Sequence, residues 1–375
     1  ATADSLATVT DKTALNVAEA KFARAFAYFN LVRTFGEVPK IDFKIVNQED
    51  AIVAKSTVAE IYALIDADLQ DAVTNLPLNW EDRYKGRLTR GAALALQTKT
   101  QLARKSWGAA LAAARSVIES NEYDLSVPYN MIFREESENS KESIFEIQAL
   151  YTQNNTGLGI TLASRQGIRG AGAFDLGWGW NVPNERLLSA FETDDPRKDV
   201  TVLYSGRVNT PYGEAIPAGL DRDYWNKKVY TNPSIRQSTG NLQGAWFNFR
   251  VIRYADVVLM AAEAANELGG AANIDLALKY LEMVRARARA NNNAILPPVT
   301  TRNQEQLRQA IRHERQVELG MENERFYDLV RWDIDVETMH DAGKTGYQKR
   351  NRFIPIPQPE IDKSGGVLKQ NSDYL

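Results

Sequence analysis

His313 and His340 are the only histidines in 375 residues, and there is no cysteine. Thiolate nucleophiles, disulfides, iron–sulfur clusters, cysteine zinc sites and centres of three or more histidines are therefore excluded. The run His313-Glu314-Arg315-Gln316-Val317 has the outline of a metalloprotease helix. Zinc would need a second histidine four residues on, and position 317 is valine. The pairs Glu135/Glu136, Asp194/Asp195 and Asp66/Asp68 are the types that could flank a glycosidic bond. Carboxylates close in sequence are mostly solvated, and nothing singles out one pair. No Gly-x-Ser-x-Gly elbow occurs. Gly157-Leu-Gly159 and Gly170-Ala-Gly172 lack the Gly-Lys-Ser/Thr of a phosphate loop. No acidic loop has regular calcium spacing. The expectation is a chain with no catalytic residue, no metal and no cofactor. With 45 basic against 48 acidic side chains, its charge of −3 also argues against a nucleic-acid partner.

The aromatic residues carry more information. Gly177-Trp178-Gly179-Trp180-Asn181 sets two indoles beside glycines, with no helical or strand stripe to bury them. Tyr212, Tyr224-Trp225-Asn226 and Trp246 follow. Flat aromatic rings stack on the apolar face of a sugar and give large contact area at little entropic cost, while neighbouring Asn, Asp and Arg bind hydroxyls. These eight residues, from Trp178 to Trp246, are the candidate ligand-binding set. At least half of the tryptophans should be core pillars, since a binding loop needs only one or two exposed rings.

The elements that would hold such a loop are mainly helical. Residues 13–121 and 252–335 read as helix, in eight segments. Phe22, Phe26, Phe29 and Val32 make one stripe, ended by Gly36 and Pro39. Thr57 and Glu60 form a capping-box start for a second helix. Thr89 opens a third and Trp107 a fourth. The later segments start near Ile252, at Asn273, at Asn303 and after Gly320. Alanine-rich contact positions and a spacing near 34 residues fit four tetratricopeptide-like helix pairs and a generic helical bundle equally well. Residues 143–250 differ. Residues 151–250 hold 12 of the 23 glycines and four of the seven tryptophans. Short alternations at 143–148 and 200–204 predict a few strands among long loops. Glu314, Glu318, Glu322, Arg325, Asp328 and Arg331, three or four apart, read as structural helix-supporting pairs.

Several strings resemble the SusD/RagB family of Bacteroidetes outer-membrane nutrient-binding lipoproteins. They include Val251 to Ala265, Ala277 to Arg289, Glu314 to Trp332, Phe353 to Ile361 and Gln370 to Tyr374. Earlier matches are Glu19 to Phe29, Phe35 to Pro39, Gly86 to Ala93, and Pro183 to Arg197 with Phe191 and Asp195-Pro196-Arg197. The matches span nearly the whole chain in order. The resemblance implies a single SusD-like domain over 1–375, mainly α. Its helix pairs would support an irregular, loop-rich ligand-binding lobe at 143–250. It also implies a non-catalytic surface protein that binds a glycan and delivers it to a SusC-like TonB-dependent transporter. The implied location is the extracellular face of the cell outer membrane, reached through a lipid anchor absent from this chain. A peptide-binding member of the same family, a tetratricopeptide-type protein-interaction scaffold and a glycoside hydrolase are the alternatives. No run of residues is long and apolar enough for a membrane-spanning helix, and the N-terminus, Ala1 to Ser5, does not read as a signal peptide.

Overall fold

The computed structural model describes residues 10–374. Among these, seven helices of 13 to 26 residues carry the fold. They are α1 (Thr10–Phe35), α2 (Val58–Asn75), α3 (Arg90–Ala103), α4 (Trp107–Glu119), α5 (Tyr254–Leu268), α6 (Ala271–Arg289) and α7 (Gln304–Glu318). Four two-stranded antiparallel ladders and short helical turns complete the described residues. Chain contacts divide the molecule into two compact units. One comprises the described residues up to Leu78, Leu88–Arg104 and those from Phe326 onward. The other comprises Asn79–Arg87 and Lys105–Arg325.

In the first unit α1 packs on α2, and α2 on α3. The α1 stripe is buried as its spacing predicts, with Phe22, Phe29 and Val32 all inside. Thr57 caps α2 by accepting from the Glu60 amide, and Glu60 bonds back to the Thr57 amide, so two of the amides left unpaired at the helix start are satisfied. Asp66 and Asp68, on α2, are each gripped by a two-pronged guanidinium, from Arg104 and Arg24. The C-terminal segment returns to the end of α1. There Ile354 N donates to Thr34 O, and Asn371 Nδ2 donates to Phe35 O.

In the second unit α5 packs against α4, α6 and α7. It is surrounded, and every residue from Tyr254 to Asn266 is buried, more than the single predicted stripe. Asn303 caps α7 as expected. Asn273 does not cap α6, which begins at Ala271. Asn273 lies within the first turn and donates to Gly269 O. Strand β1 (Ser143–Ile147) pairs with β6 (Phe249–Arg253). Between them β2 (Leu150–Thr152) pairs with β3 (Asn155–Leu158), and β4 (Val202–Tyr204) with β5 (Tyr224–Asn226). The strand expected at 200–204 begins only at Val202, because residues 197–201 form a helical turn.

A buried ion network lies where ladder, loops and helices of this unit meet. Arg197, Lys228, Arg253, Arg285 and Arg287 face Glu142, Glu192, Asp195, Glu314, Glu318 and Glu322 in one connected set. The glutamates that read as local helix pairs instead reach across the chain. Glu314 and Glu318 bind arginines from the loops, from β6 and from α6. Glu322 lies beyond the end of α7, so its four-residue spacing from Glu318 is not a helical one. Asp328 and Arg331 do form the predicted three-residue pair.

Burial pushes the Glu318 carboxyl up, but Arg287, Arg253, Arg197 and Lys228 override it and hold it at about 2. The folded carboxyl thus binds its proton more weakly than an unfolded one at 4.5. Its stabilisation is complete above that value and is lost as pH falls toward 2, an effect on the order of 3 kcal/mol. Glu318→Ala should lower stability by about 3–5 kcal/mol in urea unfolding, because it strands buried guanidiniums. Glu318→Gln should lie closer to wild type at about pH 3 than at about pH 6. A gap independent of pH would show that the charge contributes nothing.

Candidate functional site

Trp178 and Trp180 are exposed at 54% and 55%, the most exposed tryptophans of the chain. Their presentation follows from the glycines between them. The run 176–180 lies alongside 164–168, joined by Trp178 N to Ser164 O, Gly179 N to Gly167 O and Trp180 N to Arg165 O. A side chain at Gly177 would put its Cβ 2.4 Å from Ser164 O. Gly179 has φ +68°, and a Cβ there would lie 2.9 Å from the Trp225 ring. The glycines therefore lie against the layer beneath, and the alternating indoles face solvent. The indole centroids are 6.2 Å apart, with planes inclined by 49°. The exposed Arg165 guanidinium lies 5.1 Å from the Trp180 centroid and 6.0 Å from that of Trp178.

Asn181 anchors the loop. It adopts φ 55°, and its Nδ2 donates to Gln166 Oε1, Met321 O and Asn323 Oδ1. The partner loop is itself in the left-handed region, at Met321 and Asn323. Beside this junction opens a small pocket. Its walls include Phe133, Leu162, Phe247, Asn248 and Lys228, with Gln166 and Asn323 shared with the Asn181 contacts. Burial draws the Lys228 ammonium down to about 8, while Glu322 opposes the shift. Its Nζ donates to Glu318 O and Glu322 Oε1.

The other predicted residues do not share this surface. Trp225 is 0% exposed, packed with Ile168, Leu176 and Leu203, and its Nε1 donates to Ser205 Oγ. It is the pillar under Gly179, not a stacking ring. Asn226 is buried, donating to Gln166 and accepting from the Lys228 amide. Trp246 is buried, with Nε1 directed to Glu135. Tyr212 and Tyr224 are half-buried, with hydroxyls spent on Glu135 and Glu185. The polar ends of these five are engaged by neighbouring side chains, Glu135 before the lobe among them. Sequence reasoning missed Arg165 and Gln166. No spacing marks them, and only their position before the glycine pairing betrays them afterwards.

Several carboxylates considered for hydrolysis are occupied. Asp66 and Asp68 are held by arginines, Asp195 by Arg197, and Glu135 by Tyr212, the Asn232 amide and Trp246. Glu192, His313 and Glu314 come close enough to hold a metal ion. Both carboxylates already bind Arg285, and the His313 ring faces Ala190 O, so the cationic charge an ion would bring is already supplied. Among the described residues, no helix is long and apolar enough to cross a membrane.

Residues 141–374 match the model of the SusD family, and residues 4–102 match a model described as starch-binding associating with outer membrane. SusD-like protein P2 of Formosa agariphila is 29% identical, over 95% of this chain and 74% of that protein. A solved laminarin-binding SusD-like protein superposes with TM-score 0.81 at 27% identity, over 97% of this chain and 80% of the other. Surface glycan-binding protein A from Bacteroides fluxus superposes with TM-score 0.79 at 26% identity, over 97% and 79%.

Gly179→Ala should displace the Trp178–Trp180 loop, since it imposes a strained φ and a clash with Trp225. The expected cost is about 1–3 kcal/mol in thermal unfolding, with a change in tryptophan fluorescence of the folded state. Unaltered melting and emission would mean that the loop does not depend on the glycine.

Proposed function

The chain belongs to the SusD family, and from that premise we propose that it is a non-catalytic glycan-binding protein of the outer membrane's extracellular face. It captures oligosaccharide or polysaccharide and delivers it to a SusC-like TonB-dependent transporter. The observation that carries the reading is the exposed Trp178–Trp180 pair, held on a loop braced at both its backbone and Asn181. Two tilted indoles with a guanidinium alongside offer a sugar an apolar platform and a donor for its hydroxyls. The names of similar proteins, a laminarin-binding SusD-like protein and a surface glycan-binding protein, point the same way. So does the engagement of Asp66, Asp68, Glu135 and Asp195, four of the six candidate carboxylates, in ion pairs and hydrogen bonds. In this reading the whole chain works as one SusD-like domain. Residues 13–121 and 252–335 are scaffold, and residues 143–250 form the ligand lobe.

The test is affinity electrophoresis through gels containing laminarin, starch, xylan or pectin, with calorimetry on the retained polymer. Wild type should be retarded by at least one. Trp178→Ala and Trp180→Ala should each weaken binding about tenfold, and the double variant should abolish it, with melting unchanged because both rings are exposed. Retention of none of these polymers, or variants that bind as wild type does, would overturn the proposal. Capture of casein peptides in place of sugars would move the chain to the peptide-binding reading.

A further inference from the structure

A second aromatic platform lies on the same unit as the tryptophan pair. The segment Asn79–Arg87 carries the half-buried Trp80 and the exposed Tyr84, which meet edge to face with centroids 5.8 Å apart. The Arg87 guanidinium lies 4.1 Å from the Trp80 centroid and 5.6 Å from that of Tyr84, and Arg83 lies 4.6 Å from the Tyr84 ring. The composition repeats that of the first site: two rings inclined to one another with an arginine alongside. The segment is also fixed in place. Asn79 donates to Glu122, and Gly86, at φ +95°, lies so near Gln148 that a Cβ would come within 2.7 Å of its amide carbon.

Gln148 connects the two places. Its Oε1 accepts from Asn139 and from Asn248, and Asn248 lines the pocket beside the tryptophan loop. Gly86 of this segment and the pocket-lining Asn248 thus both lie against Gln148. Side-chain charge on the segment is mixed, with Glu81 and Asp82 against Arg83, Lys85 and Arg87. Mixed charge disfavours a polyanion, and ring faces beside guanidiniums suit the C–H face and hydroxyls of a neutral pyranose.

We propose that Trp80 and Tyr84 form a further subsite for a distal sugar of the same glycan chain, so that the protein binds long chains at two separated points. The inference rests on the glycan-binding reading above. Two linked contacts raise the affinity for polymer without altering that for fragments too short to reach both.

The experiment compares laminarin with laminaritriose, or, if another polymer of the panel is the one retained, that polymer with its own trisaccharide. Wild type should bind polymer at least about tenfold more tightly per chain than trisaccharide. In Trp80→Ala/Tyr84→Ala that ratio should fall to near unity, and in Trp80→Phe/Tyr84→Phe, which keeps the rings, it should persist. A wild-type ratio near unity overturns the proposal. A ratio that survives Trp80→Ala/Tyr84→Ala also overturns it, while leaving the Trp178–Trp180 site standing. A wild type that binds no sugar removes the subsite and the glycan-binding reading together.

Discussion

The buried ion network fixes the second unit. Five cations and five carboxylates are largely removed from water there, with the half-exposed Glu192 at the margin, at a desolvation cost that mutual pairing offsets. Its members come from widely separated parts of the unit. Glu142 precedes β1, and Arg253 ends β6. Arg285 and Arg287 are on α6, while Glu314 and Glu318 are on α7. Asp195 and Arg197 come from the loops of the lobe. Most are shared between two or more partners, so the irregular lobe is held against α6 and α7 by charge and geometry at once. Hydrophobic contact tolerates sliding, whereas a guanidinium shared between two carboxylates does not.

From that fixed point the site is built outward in short steps. Glu322 belongs to the network, and its neighbours Met321 and Asn323 receive the Asn181 side chain. Asn181 ends the Trp-Gly-Trp run, and Gly179 rests on Trp225. Each step is a hydrogen bond or a van der Waals contact, so the indoles inherit their placement from the ionic core.

Much of the helical part was legible in the sequence because its signals are local. The Thr57–Glu60 box, the Thr89 and Asn303 caps and the α1 stripe each lie within a few residues and form as read. Asn273 misled because cap-forming residues also sit inside first turns. The network was misread as helical pairs because partners lie 65, 117 and 145 residues away, and no local spacing encodes them. The binding lobe was legible only as a region. Trp178 and Trp225 share composition and neighbours in type, with glycine or asparagine beside each. What separates them is a ring packed against Ile168 and Leu203, which sequence does not display.

The bracing by Asn181 bears on how cargo is released. A loop that must order itself around a ligand draws the cost of ordering from the affinity, and it opens again only by melting. Here Gln166, Met321 and Asn323 hold the Asn181 side chain at the end of the loop with no ligand present. In the proposed function, residence time would then be set by ring contacts, with no closed segment to unlatch. Such a surface would be quick to load and quick to empty.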